Sequence, residues 1–327
     1  SRAKLEALRR GWGEAADRVI AVEGDLGSPG LGLATAQLDG LRGRIAHLFH
    51  LAAVYDLAAS SADLEAANVE GTRQMLRFAS AIDAGCVHLV SSIAAAGLYD
   101  GSFDESMFEQ ASGLEHPYFR TKHDSEALVR RECQRPWRIY RPAMVVGDSA
   151  TGEMDKVDGP YYLFKAIQKL RRNVPAWFPM VGVEGGWINL VPVDYVAAAL
   201  DHLAHAQGQD GQCFHLVDPR PRTFGEVINV FCRAAHAPTA GLRIDLRLLG
   251  VVPETVRGAI AKAGPVRRIL DQLLQDLGIP RSVLQLIAYP TRFDASRARA
   301  LLEPAGIRVP PLEDYAWRLW DYWERHL

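Results

Sequence analysis

What most constrains this chain is a rhythm. In its first 147 residues short apolar runs recur, and the segments between them carry apolar residues at three- and four-residue spacing. VIAVEGDL (19–26), IAHLFHLAA (45–53), CVHLVSS (86–92) and WRIYRPAMVVG (137–147) read as four strands, while LEAANVEGTRQMLRFASAI and PYFRTKHDSEALVRREC have helical period. Strands alternating with helices predict an α/β fold, a doubly wound parallel sheet (Rossmann-like), with functional groups gathered at the carboxyl ends of its strands. After Gly147 the rhythm breaks. GDSATGEMDKVDGPYYLF follows neither period, INLVPVDYVAAALDHLAHA restores one strand and one helix, and CFHLVDP adds a short strand. From Pro221 onward amphipathic helical patterns dominate, among them LRIDLRLLGVVPETVRGAI and VRRILDQLLQDLGI. The expected organisation is an α/β domain at 1–147 to which 187–218 returns, and a smaller, mainly helical C-terminal lobe built from 148–186 and 219–327.

Charge and composition narrow the partners. Thirty-seven basic and 39 acidic residues give a formal net charge of −2 over 327 residues, so there is no electrostatic basis for a nucleic-acid partner or an anionic membrane surface. With 48% hydrophobic residues the chain can bury a core, yet no apolar run approaches the ~18 residues of a transmembrane helix. Cys86, Cys133, Cys213 and Cys232 are far apart with no C-x-x-C pair, which points to neither a disulfide framework nor a cysteine zinc site and favours a reducing, cytoplasmic compartment. Asp201, His202 and His205 have the spacing of half a metal site, but no third ligand motif accompanies them, so no metal is expected. Trp317, Trp320 and Trp323 form a stripe that reads as core packing.

The chemistry-bearing cluster lies between the third and fourth runs. Ser91 and Ser92 end a strand, and Pro117 in HPYFRTK suits the first turn of a helix. Tyr118 and Lys122 then stand at i and i+4, on one helical face. A phenol titrates near ~10 and is a poor acid at neutral pH; a nearby ammonium favours the phenolate, so the pair makes a tuned proton donor. Spacing alone is weak, because Tyr161 and Lys165 in YYLFK match it too. Tyr118 differs in following a serine-ended strand and preceding the next.

With these residues the chain resembles the extended short-chain dehydrogenase/reductase family. The resemblance rests on GDL at 24–26, HLAA at 50–53, NVEGT at 68–72, VSS at 90–92, YFRTK at 118–122 and YRP at 140–142, in family order. RPAMVVGDSATGEMDKVDGPYYLF followed by NLVPVDYVA is most similar to the reductase domains of bacterial fatty acyl-CoA reductases and their thioester-reductase relatives, including multidomain actinobacterial forms. That similarity implies an oxidoreductase of lipid metabolism, a dinucleotide-binding domain joined to a substrate lobe. Hydride would pass from NADP(H), with NAD(H) as the alternative, to a fatty acyl thioester or aldehyde. Tyr118 would protonate the carbonyl oxygen, Lys122 would tune Tyr118 and bind the nicotinamide ribose, and Ser92 would hydrogen-bond the developing oxyanion, with Ser91 as the substitute beside the cofactor. Asp25 and Leu26 would contact the adenine; Leu51, Ala52 and Ala53 the pyrophosphate and ribose; Pro142 and Val145 the nicotinamide. Asn68 would hold the helix beside the site.

Each role has a plainer rival. Asp25 would equally close a turn, Asn68 cap a helix, and Ala52 and Ala53 allow close packing. A nucleotide-sugar epimerase or sterol-type dehydrogenase fits the same scaffold, and a cofactor-sensing regulator would need the pocket without the proton donor, against which Ser92, Tyr118 and Lys122 together argue. A long acyl chain would lie on the helical faces after Pro221, at ~0.8 kcal/mol per buried methylene.

One family motif is absent: no G-x-x-G-x-x-G precedes GDL, and GSPGLG at 27–32 follows it and reads as a turn. The chain opens without Met or a secretory pattern, inside an amphipathic segment. The expectation is therefore a first βαβ unit upstream of Ser1, which would also carry the residues choosing between NADP and NAD. Without that unit VIAVEGDL lacks its neighbours, and the 327-residue polypeptide is expected to bind cofactor weakly and to aggregate.

Overall fold

The structure, a computed structural model, describes residues 2–54, 59–155, 159–245 and 289–327. The first half contains α1 (Arg2–Trp12), α2 (Thr35–Leu41), β1 (His47–His50), α3 (Ser61–Leu64), α4 (Gly71–Ala81), β2 (Cys86–Val90), β3 (Gly101–Phe103), α5 (Pro117–Glu132), β4 (Trp137–Pro142) and β5 (Met144–Val146). The second contains α6 (Phe164–Asn173), β6 (Met180–Glu184), β7 (Trp187–Ile188), β8 (Leu190–Pro192), α7 (Val193–His205), β9 (Gln212–Leu216), β10 (Arg222–Thr223), α8 (Phe224–Ala234), β11 (Ala240–Asp245), β12 (Thr291–Phe293), α9 (Ser296–Leu302) and α10 (Leu312–His326).

The central sheet has the order β1-β2-β4-β9 and is parallel throughout. Parallel neighbours need long crossovers, and helices supply them on both faces. On one face Met75, Phe78 and Ala79 of α4 and Val129 of α5 pack on Val87, Leu89 and Ile139. On the other, Val196, Ala199 and Leu203 of α7 and Ala298 of α9 pack on Tyr140, Phe214 and Leu216. Covered on both faces, β2 carries no polar-out period. A second core, from Phe164 and Ile167 of α6, Val230 and Phe231 of α8 and Tyr315, Leu319, Trp320 and Trp323 of α10, holds the helical lobe together. Trp320 and Trp323 are buried there, whereas Trp317 is half exposed.

Three sequence expectations give way to tertiary context. The 19–26 run is not a strand: residues 19–24 make no ladder, and Ile20 and Val22 are exposed. Extended backbone becomes a strand through a hydrogen-bonded neighbour, and no described strand lies beside this run; β1 likewise pairs with β2 alone among the described residues. The 137–147 run is two strands. Pro142 has no N–H to give, Ala143 N–H turns to Leu216 O at 3.0 Å, and β5 pairs with β8 in a separate two-stranded sheet. Finally, residues 242–245 of the LRIDLRLLG pattern lie in β11, paired with β6. The rest of that pattern, and VRRILDQLLQDLGI, fall outside the described residues.

GSPGLG is a turn, with Gly30, Leu31 and Gly32 all at positive φ (62°, 57° and 74°). Among the described residues no cluster of His, Cys, Asp and Glu has the arrangement of a metal site; His205 Nδ1 lies 2.8 Å from the Asp201 carbonyl oxygen. No described helix is long and apolar enough to cross a membrane.

Candidate active site

The site forms where β2 and β4 end and α5 begins. Beyond Val90 the chain leaves the ladder. Ser91 is buried against the Glu126 carboxylate. Ser92, with extended backbone (φ −162°, ψ 156°), caps the short 3-10 turn Ile93–Ala96, its Oγ accepting the Ala94 N–H at 3.1 Å. The first turn of α5 is fixed by Pro117 and by His116, whose Nδ1 accepts the Tyr118 N–H at 3.1 Å. Tyr118 is half-buried; Lys122, one turn on, is buried.

Burial lowers the Lys122 ammonium to about 8, and the Glu126 carboxylate opposes that fall. His50, at the end of β1, faces Lys122: burial and the lysine charge push it down to about 4, so it is neutral at pH 7. Its Nε2 lies 3.2 Å from Thr72 Oγ1.

Asn68 binds these parts together. It sits within the π-helical turn Glu65–Glu70, an irregularity common at functional sites, and is not a helix cap. Its Oδ1 accepts the Val54 N–H at 2.8 Å, and its Nδ2 donates to Val54 O at 2.9 Å and Thr121 Oγ1 at 3.2 Å. The chain leaving β1 is thereby tied to α5 one residue from Lys122. Asn68→Ala would leave both polar groups of Val54 unpaired, at about 1–3 kcal/mol. A lower melting temperature and a tenfold or greater rise in cofactor Kd are expected, that factor corresponding to about 1.4 kcal/mol. Unchanged cofactor titration would count against this role.

The other expected cofactor contacts are distributed as follows. Leu51 (61% exposed), Ala52 and half-buried Ala53 follow β1; Pro142 is buried at the end of β4, and Val145 (38% exposed) lies in β5. Exposed apolar groups at one edge of the sheet, with a buried ammonium at the same edge, suit a flat, anionic dinucleotide, and in this respect the residues present fit the group. Asp25 spends its carboxylate on its own turn, accepting the Gly27 N–H at 2.9 Å and the Ser28 hydroxyl at 2.7 Å, which holds it below the usual carboxylate range. Leu26, half-buried, lies against Gly71 at the start of α4. The second Tyr-x-x-x-Lys pair belongs elsewhere: Tyr161 is buried in the helical lobe, its hydroxyl accepting the Gly147 N–H at 2.8 Å.

Beside the 3-10 turn that follows Ser92 opens a cavity of about 320 Å³, its wall combining Trp187, Tyr289 and Phe293 with Asp218, Arg292 and Asp294. Tyr289 was not evident from sequence. It packs edge-on to Phe119, donates to Ile93 O at 3.4 Å, and burial raises its phenol pKa. Glu126 and Arg141 were also missed, although Glu126 continues the four-residue spacing of Tyr118 and Lys122.

Comparison with known proteins agrees with this geometry. The model of an NAD-binding family described as male sterility protein matches residues 2–200. The chain is 32% identical over 313 residues, 91% of its length, to the non-canonical nonribosomal peptide synthetase FrzA of a Cladobotryum species. It is 31% identical over 196–225-residue stretches of no single relative but, over 225 residues and 66% of its length, to a linear gramicidin synthase of Brevibacillus parabrevis. It spans 29% of the first protein and 4% of the second. Its fold is similar to the crystal structure of the terminal R domain from the myxalamid PKS-NRPS biosynthetic pathway, with a TM-score of 0.73 and 25% identity, covering 96% of this chain and 77% of that one.

Proposed function

This chain belongs to the NAD-binding family described as male sterility protein, within the extended short-chain dehydrogenase/reductases, and from that premise we propose that it reduces a carrier-bound acyl thioester and releases an aldehyde. The observation that carries the proposal is the meeting of Ser92, Tyr118 and Lys122 at one sheet edge beside the 320 Å³ cavity. The overall change is thioester plus NAD(P)H plus a proton to aldehyde, thiol and NAD(P)⁺. A bound nicotinamide would supply the hydride that reaches the carbonyl carbon. The chain's own residues manage the oxygen. Tyr118 gives its phenolic proton to that oxygen, the Ser92 hydroxyl hydrogen-bonds it as charge develops, and the Lys122 ammonium favours the phenolate left behind. When the carbon–sulfur bond breaks, the phenolate recovers the hydroxyl proton and the departing thiolate takes one from solvent. Asp25, Leu26, Leu51 to Ala53, Ser91, Pro142 and Val145 are proposed to line the cofactor, with NADPH as the working reductant.

The mixed cavity wall favours an acyl group bearing amides over a bare alkyl chain, since Asp218, Arg292 and Asp294 would lie unpaired against methylenes. Peptide synthetases among the relatives support a peptidyl or aminoacyl substrate delivered within a larger assembly. The complete protein should be offered peptidyl-pantetheine thioesters, acyl-CoAs of increasing length and a nucleotide sugar, with NADPH and with NADH, and the products identified. Aldehyde and free thiol should form fastest from the peptidyl thioester. Faster turnover of long-chain acyl-CoA would restore the fatty-acyl reading, and turnover of the sugar alone would defeat thioester reduction altogether.

A further inference from the structure

Three side chains share the inner face of α5. Tyr118, Lys122 and Glu126 stand at i, i+4 and i+8, so Glu126 lies one turn beyond Lys122. Glu126 is 0% exposed and Lys122 is 6% exposed. The carboxylate is gripped from β4: Arg141 Nε donates to Oε1 at 2.9 Å, and Arg141 Nη2 donates to Oε2 at 2.7 Å. Arg141, itself fully buried, is oriented in turn by the Met107 carbonyl oxygen at 3.0 Å and by His215 Nε2, 3.3 Å from its Nη1. Ser91, the neighbour of Ser92, lies against the same carboxylate. One carboxylate thus touches the strand end that presents the serine and underlies the lysine.

A buried ion pair adds little net stability and is often matched by an apolar pair of the same volume, so stability alone gives weak reason for a charge in this place. We propose that Glu126 is a positioning residue for the reaction: pinned by Arg141, its carboxylate holds Lys122 in line with Tyr118 and keeps the lysine charged. This rests on the roles proposed above for Tyr118 and Lys122. The groups facing the pair agree with it. His50 of β1, neutral, adds no charge beside Lys122, whose fall to about 8 Glu126 resists. Burial pushes the Glu126 carboxyl up, but Arg141 and then Arg130 hold it below the usual carboxylate range, so it stays ionised. Across the sheet, burial pushes His215 down to about 3 and the Cys213 thiol up to about 12, leaving both neutral. Glu105, its pKa raised by burial, is engaged by the backbone N–H groups of His215, Arg297 and Ala298.

The test is the pH dependence of kcat/KM with NADPH in the complete protein, for wild type, E126Q/R141M and E126D. Reduction needs Lys122 protonated, so activity falls as pH rises through its pKa. The double variant exchanges the pair for a neutral one of similar volume; E126D keeps the charge. We expect the double variant to melt near wild type while its basic limb moves at least about one pH unit lower, and E126D to keep its limb within about half a unit whatever its melting temperature. A double-variant limb that coincides with wild type overturns the proposal, as does an E126D limb displaced by a full unit. If the double variant does not fold, the E126D limb decides. Tyr118→Phe, assayed alongside, separates the two levels: an active Tyr118→Phe sinks the Tyr118–Lys122 roles themselves, whereas an inactive one with unmoved limbs sinks the role of Glu126.

Discussion

Tyr118→Phe in the complete protein is expected to lower turnover at least about a hundredfold, with cofactor affinity within about twofold of wild type, because general acid catalysis is typically worth 10²–10⁴. The substitution removes one oxygen from a half-buried ring whose backbone is fixed by Pro117 and His116, so the helix and its packing on Phe119 persist. The matched control is Tyr161→Phe. That hydroxyl accepts the Gly147 N–H in the helical lobe, and its loss should cost about 1 kcal/mol of stability with turnover unchanged. Steady-state NADPH oxidation and a fluorescence titration of cofactor measure both quantities. Equal losses of turnover in the two variants would refute the assignment.

Arg141→Ala should be the most damaging single change to folding, by about 3–5 kcal/mol, since it leaves the Glu126 carboxylate buried without its principal partner. It should also invert a pH dependence. In the wild type the folded-state pKa of Glu126 lies below the ordinary carboxylate value, so its contribution is present above that value and is lost as pH falls through the folded pKa. In the variant burial dominates, Arg130 at 3.7 Å giving partial relief, and the folded pKa rises above the unfolded one. The protonated carboxyl then suits the fold, and stability declines as pH rises beyond the ordinary carboxylate range. Urea midpoints at about pH 4.5 and 7.5 read the difference between variant and wild type, and a deficit no larger at the higher pH would contradict this account.

The sequence signals that proved informative were those whose chemistry is local. Tyr118 and Lys122 share a helix face by spacing, Pro117 marks where that helix starts, and Val90, Ser91 and Ser92 mark where a strand stops. The other half of the site is made by contacts between residues far apart in the chain. Arg141 meets Glu126 across 15 residues and Asn68 meets Thr121 across 53, and nothing in a period or a spacing selects Arg141 from among the other arginines or reveals the clamp on Val54. The same limit governs the strands. Residues 19–24 have the composition of a strand and lack a partner; residues 242–245 have helical spacing and find one in β6. Pro142, read from sequence as part of a continuous run, is where the chain leaves the sheet, because a missing N–H matters only once a neighbour would have received it.

The path of the chain between its two cores has a mechanical consequence. Ala143 belongs to the core over the sheet and Val146 to the core of the helical lobe; Val191 and Leu190, Val217 and Val227, and Leu302 and Leu312 divide in the same way. The lobes are therefore stitched together at 143–146, 190–191, 217–227 and 302–312, the first two by paired strands with almost no slack. Hinge closure concentrates its rotation in a few compliant connections, and here several short tethers would have to bend at once. Such a cleft does not gape as a jaw does: admission of the thioester and departure of the aldehyde fall to surface loops, and cutting the chain into separate halves would leave neither with a complete core.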